Sequence, residues 1–256
     1  MGDANSLNIH RPRKVHPCRL LALALVLLAG GCGQPAATVP AAAAPLPSTE
    51  TTLSEQIAAV QAGTSDIILL ENTSLQDADL KRITPSIGLA VLQLDSPDNE
   101  ITDAGMQTLA SLRSLVQLRI RGGKIGDAGL WAIANLPELK ILNLPQGVFT
   151  DAGLAELRQL PKLELLRIGS PRITDAGVAS LRQFPSLRQI HLINVVITDR
   201  SLVELQKIDR LESLYLDHSQ VSDQAIEALI RARPHLHLHL NQQHHDRDPQ
   251  KANHRH

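Results

Sequence analysis

The chain has 256 residues, of which 43% are hydrophobic and 20% are charged, and its formal net charge is −1. This balance leaves no basic excess to neutralise a phosphate backbone, so the composition argues against a nucleic-acid partner. Only four residues are aromatic, so a core must be built from leucine, isoleucine, valine and alanine, which favours stacked layers that resemble one another.

Residues 1–31 have the composition of an export signal. Basic residues cluster between His10 and Arg19, and an unbroken apolar run, LLALALVLL, extends from Leu20 to Leu28. A membrane-spanning helix needs about 20 apolar residues, and this run is shorter. We therefore predict that residues 1–31 are a signal peptide rather than a membrane span.

The end of this segment, LLAGGCG, resembles the lipobox of bacterial lipoproteins, in which the cysteine is acylated and becomes the first residue of the mature chain. The resemblance implies lipidation of Cys32. Because Cys18 lies in the part that would be removed, no cysteine pair remains for an intramolecular disulfide. Residues 32–50 are rich in alanine and proline, which is typical of an extended tether. We expect an exported protein anchored by lipid to a bacterial cell-envelope membrane, with a secreted or periplasmic location as the alternative.

A phrase of the ITDAGL type begins every 24 residues from Ile101 to Val221, as in ITDAGMQTL, FTDAGLAEL and ITDAGVASL. Before the phrase, the spacing of Leu163, Leu166 and Ile168 predicts a short strand with one buried face. From the motif onward, apolar residues recur at every third position, as Val178, Leu181 and Phe184 do, and this spacing predicts a short helix. The Thr-Asp pair supplies a helix cap and a negative charge at the positive helix end, and the following glycine permits a tight entry. We assign these residues to the scaffold and not to chemistry.

These 24-residue units resemble the leucine-rich repeats of F-box-associated and bacterial tandem-repeat proteins. The resemblance covers residues 65–242 and implies an α/β solenoid, with a curved parallel sheet of about eight strands on the concave side and short helices on the convex side. The family's loop asparagine or cysteine is replaced at most positions, with Asn99 as the exception. Residues 51–64 are predicted to form a capping helix over the first layer, from Thr52 to Ala62. Residues 243–256 are a histidine-rich polar tail, which we expect to be disordered.

The strand residues between the buried leucines should point to the concave face, the sheet face opposite the helices. The central column of this face reads Gln93, Arg119, Asn143, Arg167, His191, Tyr215 and His239. Arginine and tyrosine beside apolar side chains are the residue types that tend to dominate binding energy. We therefore predict a protein- or peptide-binding module whose ligand contacts Arg119, Arg121, Arg167, His191 and Tyr215.

Histidines near the carboxyl end suggest an alternative function. Alternate residues of a strand share one face about 6.7 Å apart, which allows two imidazoles to bind one Zn²⁺ or Cu²⁺. An envelope metal-binding protein that uses His235, His237 and His239 is therefore the second hypothesis, although a polar cap over the last layer explains the same residues. A structural spacer without a specific ligand is the third.

No catalytic motif stands out in the sequence. It has no His-Glu-x-x-His helix, no nucleophile elbow and no phosphate-binding loop. We therefore predict a protein without enzyme activity, cofactor or small-molecule substrate.

Overall fold

The protein is described by a computed structural model that covers residues 51–241 and 243–244. In this range the strands are β1 (Ile67–Glu71), β2 (Val91–Asp95), β3 (Gln117–Arg121), β4 (Ile141–Leu144), β5 (Leu165–Gly169), β6 (Gln189–Ile193), β7 (Ser213–Asp217), β8 (His237–Leu240) and β9 (Gln243–His244). The helices are α1 (Leu53–Gln61), α2 (Asp77–Ile83), α3 (Asp103–Leu109), α4 (Asp127–Ile133), α5 (Asp151–Glu156), α6 (Asp175–Ser180), α7 (Asp199–Leu205) and α8 (Asp223–Ala232).

All described strands form one open sheet in chain order from β1 to β9. The first eight are parallel, and equivalent residues of successive repeats pair directly, as Leu142 does with Leu166 and Leu166 with Ile190. The predicted α/β solenoid with about eight parallel strands is therefore confirmed. The ninth strand was not predicted: β9 runs antiparallel to β8 and pairs Gln243 with Leu240, so the sheet continues into the segment that we had assigned to the tail.

The core consists of one stripe of aliphatic side chains from each layer. In the layer that contains β5, Leu166, Ile168, Ile173 and Val178 are each at most 1% exposed. Burying a side chain of this size stabilises the fold by about 1.5–3 kcal/mol, so the repetition of one stripe along the chain supplies most of the driving force. The bulky Phe149 and Phe184, from two successive layers, are equally buried and belong to the same core.

A ladder of carboxylates joins successive layers at the start of the helices. Asp127 accepts hydrogen bonds from the backbone N–H of Thr150 at 2.6 Å and from its hydroxyl at 2.7 Å. The Thr150 hydroxyl oxygen in turn accepts from the N–H of Ala152 and so caps α5. The same double contact joins Asp77 to Thr102, Asp151 to Thr174, Asp175 to Thr198, and Asp199 to Ser222. The aspartates therefore have a structural role. They link successive layers, and each places a negative charge at the amino-terminal end of its helix.

In four of the repeats a glycine lies two residues after the first aspartate of the helix, and it has a packing role in addition to the tight helix entry that we expect. A Cβ atom on Gly153 would collide with the carboxylate of Asp127 from the layer before. Gly105, Gly129 and Gly177 meet the preceding aspartate in the same way. In the next layer Ser201 takes this position, and its hydroxyl donates to Asp175 at 2.5 Å. The position therefore accepts only glycine or a residue that bonds the incoming carboxylate.

Both edges of the parallel sheet are paired. At the first edge, the side-chain amide of Gln56 on α1 accepts from the N–H of Leu69 at 2.7 Å and donates to its carbonyl at 2.8 Å. At the other edge, β9 pairs with β8. Unpaired sheet edges promote association between chains, so these contacts protect the ends of the solenoid.

The amino-terminal predictions fall outside the described range. The signal peptide over residues 1–31, the tether over residues 32–50 and the lipidation of Cys32 all concern residues that precede the described part, and residues 245–256 of the tail follow it. Within the described part, no helix combines the length and the apolar character needed to cross a membrane.

Candidate functional site

The register of the sheet places the central column of the concave face in one row across the strands. Arg119 pairs with Asn143, Asn143 with Arg167, Arg167 with His191, His191 with Tyr215, and Tyr215 with His239. Leucines alternate with these residues and are buried against the helices, so the row faces away from the core. Arg121 lies in the neighbouring column, paired with Asp95.

A chain of polar contacts runs along this row from β4 to β6 and ends at Asp217 of β7, in the neighbouring column. The guanidinium of Arg167 donates from Nη1 to Asn143 Oδ1 and from Nε to His191 Nδ1, both at 3.1 Å. Because Arg167 can only donate, Nδ1 of His191 carries no proton, and Nε2 donates to Asp217 Oδ2 at 2.8 Å. Asp217 is only 3% exposed. His191 is therefore held as one neutral tautomer between a cation and a buried carboxylate.

The environment of this chain opposes positive charge. Burial lowers the pKa of His191, the hydrogen bond to Asp217 opposes this change, and the charge of Arg167 lowers the pKa further. The net shift is downward. Burial also lowers the pKa of Arg167, and the neighbouring charge of Arg119 adds to the effect. Arginine remains protonated at physiological pH in spite of such a shift.

A single carboxylate orients the other two arginines. Asp95 Oδ2 lies 2.5 Å from Nη2 of Arg119, and Asp95 Oδ1 lies 3.5 Å from Nη1 of Arg121. Asp95, Asn143 and Asp217 were absent from the predicted site, although each is one strand away from a residue that was included. The 24-residue interval would have pointed to the contact between Asp95 and Arg119, whereas Asp95 pairs in the sheet with Arg121, which lies 26 residues later.

The three predicted arginines surround a depression of about 280 Å³ on the concave face. We call it the arginine depression, and its lining residues are Arg119, Arg121, Pro145, Gln146, Arg167, Ile193 and Asn194. His191 and Tyr215 are not among these residues. The structure thus divides the five predicted contact residues between this depression and a second group.

The second group, which we call the aromatic cluster, consists of His191, Tyr215, His237 and His239. The ring of Tyr215 stacks on His239 with centroids 4.4 Å apart and lies 5.3 Å from the ring of His191. The Nε2 atoms of His237 and His239 are 2.5 Å apart. His235 instead lies in an exposed turn before β8, so the structure does not bring it into the strand with the other two. Among the described side chains, no group of three histidine, cysteine or acidic residues is arranged to hold a metal ion.

Comparisons with known proteins agree with this architecture. Residues 128–226 match the leucine-rich repeats of an FBD-associated F-box protein, and residues 111–134 match a general leucine-rich-repeat model. Curated protein sequences give no significant match.

Two internalins from Listeria monocytogenes are similar in structure. The first is 25% identical, with a TM-score of 0.50, and the match covers 64% of this chain and 45% of that internalin. The second, internalin C2, is 20% identical, with a TM-score of 0.49, and 72% of this chain and 83% of that protein are covered. The chain thus spans less than half the length of the first internalin. The repeated layers and the parallel sheet give this chain the leucine-rich-repeat solenoid fold, and models of such repeats match residues 111–134 and 128–226.

Proposed function

We propose that this protein is a non-catalytic module that binds a protein or peptide on its concave face. Leucine-rich-repeat domains typically bind proteins, and their stacked strands present an extended surface for this purpose. The observation that carries the proposal is the fixed row of polar side chains along this face, in which Arg167 is held by Asn143 and His191. Side chains that are already ordered lose little entropy when a partner binds.

Site-specific photo-crosslinking in cells tests this face directly. A photoreactive residue at Gln117 or Gln189 lies on the strands of the concave face, whereas Gln107 and Gln159 lie exposed on the helical side. We expect a discrete crosslinked partner from the first two positions and none from the second two. Crosslinks confined to the helical side would overturn the assignment of the concave face, and a complete absence of crosslinks would favour a structural spacer.

We also propose that the module is displayed at a bacterial cell envelope through a lipid on Cys32. The basic and apolar composition of residues 1–31 and the LLAGGCG segment support this proposal. Labelling with radioactive palmitate should mark the full chain and should be lost in Cys32→Ala. Equal labelling of the two chains would contradict lipidation at this residue, and recovery of the unlabelled mature chain in the medium would favour simple secretion.

Metal binding is a second candidate function, and one observation favours it. His237 and His239 turn their Nε2 atoms towards each other on β8, so a small rotation that separates the two rings would allow both to bind one ion. Titration of the full chain with Zn²⁺ should then show binding that is lost in His237→Ala/His239→Ala. His235→Ala measures whether the exposed histidine contributes, and His218→Asn, which changes an exposed loop residue, is the control. Equal titration of the wild type and the double variant would exclude this pair.

A further inference from the structure

The arginine depression carries an excess of positive charge. Three guanidinium groups, from Arg119, Arg121 and Arg167, face this small volume, and Asp95 is the carboxylate that contacts two of them. Asp217, a buried acid of this face, is hydrogen-bonded to His191. Partly buried charges are screened less by salt than exposed ones, so an anion entering this site would be attracted strongly.

Hydrogen bonds fix the orientation of these guanidinium groups before any ligand arrives. Arg167 uses Nε and Nη1 for His191 and Asn143, and within the described part of the chain no residue accepts from its Nη2. Arg119 Nε is buried and has no hydrogen-bond partner among the described residues. A guanidinium presents a planar set of donors that matches the geometry of a carboxylate, and bonds between two charged groups are stronger than neutral ones.

The electrostatic environment favours an anionic occupant for a second reason. Burial lowers the pKa of Arg167, and the positive charge of Arg119 lowers it further, so the charged form of Arg167 is held at a cost. A carboxylate placed between these groups would offset both effects, because an opposite charge favours the protonated arginine.

The walls of the depression indicate what surrounds that carboxylate. Pro145 and Ile193 line it together with the arginines, and Ile141 and Leu165 are partly exposed in the adjoining column. Apolar walls beside fixed donors suit an acidic side chain carried by a peptide with apolar neighbours. None of the described residues that line the depression is aromatic, so they offer no ring on which a nucleobase would stack.

We infer that the arginine depression recognises an aspartate or glutamate side chain of a peptide segment, flanked by an apolar residue that packs against Ile193 and Pro145. This assignment rests on the proposed function of the concave face and specifies the chemistry of the partner. Arg119, Arg121 and Arg167 bind the carboxylate, Asn143 and His191 position Arg167, and Asp95 positions Arg119 and Arg121.

Fluorescence anisotropy with two synthetic peptides tests this assignment. The probe is a labelled, capped peptide that alternates aspartate with leucine, and its matched control replaces aspartate with asparagine. We expect the full chain to bind the aspartate peptide at least about tenfold more tightly, with an affinity that falls as salt rises. Equal binding of the two peptides, or binding of neither, would overturn the assignment.

Matched arginine variants locate the binding site. Arg119→Gln/Arg167→Gln should weaken binding of the aspartate peptide by about tenfold or more. Arg182→Gln/Arg188→Gln removes the same charge from exposed pairs with Glu204 and Glu212 and should bind as the wild type does. Unchanged binding by the first double variant would overturn the assignment. If circular dichroism shows that this variant is unfolded, the exposed Arg121→Gln replaces it, and unaltered affinity there has the same meaning.

Photo-crosslinking separates a failure of this inference from a failure of the proposed function. Concave-face crosslinks from Gln117 and Gln189 combined with no preference for the aspartate peptide would overturn the acidic specificity alone. An absence of concave-face crosslinks would overturn the binding function itself.

Discussion

The carboxylate of Asp127 accepts both the backbone N–H and the hydroxyl of Thr150, which lies 23 residues further along the chain in the next layer. This pair connects the first residue of α4 with the capping residue of α5, which the hydrogen bonds of the sheet do not join. It therefore holds the helical side of the solenoid in register, while the ladder of the sheet holds the strand side.

Asp127→Ala should destabilise the fold. The change leaves the N–H and hydroxyl of Thr150, both partly shielded from water, without their acceptor, which costs about 1–3 kcal/mol of unfolding free energy. Urea denaturation followed by circular dichroism measures this loss. Asp209→Ala, in an exposed loop, is the matched control and should unfold at the wild-type urea concentration. An unaltered midpoint for Asp127→Ala would show that the ladder contributes no net stability.

Gly153→Ala should destabilise the fold by about 1–3 kcal/mol, because the added methyl group overlaps the Asp127 carboxylate. The closest overlap, with Asp127 Oδ1, is removed together with that carboxylate, while the 2.9 Å contact with Asp127 Cα remains, so the double variant with Asp127→Ala should be more stable than the sum of the single effects predicts. Gly88→Ala, where the added atom meets nothing within 4 Å, is the control and should be nearly neutral. Strictly additive effects in the double variant would exclude the steric explanation.

The pKa of His191 should lie below its ordinary value of 6.5, and nuclear magnetic resonance titration of the imidazole measures it. Burial is the main cause, and the hydrogen bond to Asp217 works against it, so Asp217→Asn should lower the pKa further. The unfolded chain binds this proton more readily than the folded chain. The contribution of His191 to the free energy of unfolding is therefore complete above pH 6.5. It is lost as the pH falls from 6.5 towards the lower pKa that His191 has in the folded chain. A folded pKa above 6.5, or a rise in Asp217→Asn, would contradict the assigned contacts.

Gln56→Ala should expose the first edge of the sheet. Its side-chain amide is the partner of the Leu69 N–H and carbonyl, so removal should speed hydrogen exchange at the Leu69 amide by about tenfold. Exchange mass spectrometry of the β1 peptide measures this rate. Gln61→Ala, at the exposed end of the same helix, controls for the loss of a glutamine from α1. Equal exchange in the two variants would show that α1 does not protect this edge.

The sequence was sufficient to predict the sheet and the columns of the concave face. Leucines such as Leu142 and Leu166 recur at one fixed interval, so the alternation within one strand fixes the outward positions of all strands. Helix starts were also predictable from the Thr-Asp pairs. The partner of each aspartate was not, because local spacing relates Asp151 to its own helix and gives no sign of Thr174 in the next layer.

The structure places the five predicted contact residues in two groups, and the sequence did not indicate this division. The five contact residues divide because His191 forms hydrogen bonds with Arg167 and Asp217 and stacks towards Tyr215, and these side-chain directions are not encoded in column position. His235 occupies the place of the first leucine of a repeat, yet it follows Pro234 in a turn and lies before β8. The two residues of β9 are too few to show any periodicity.

The carboxylate ladder also makes the solenoid divisible in whole layers. From Asp127 with Thr150 to Asp199 with Ser222, each of these aspartates contacts the hydroxyl-bearing residue 23 positions later. Removing 24 consecutive residues would bring together two surfaces that already have matching partners, whereas removing any other number would misalign every bond beyond the cut. Such a chain can lengthen or shorten its binding face by duplication or loss of single units while its two protected ends stay unchanged.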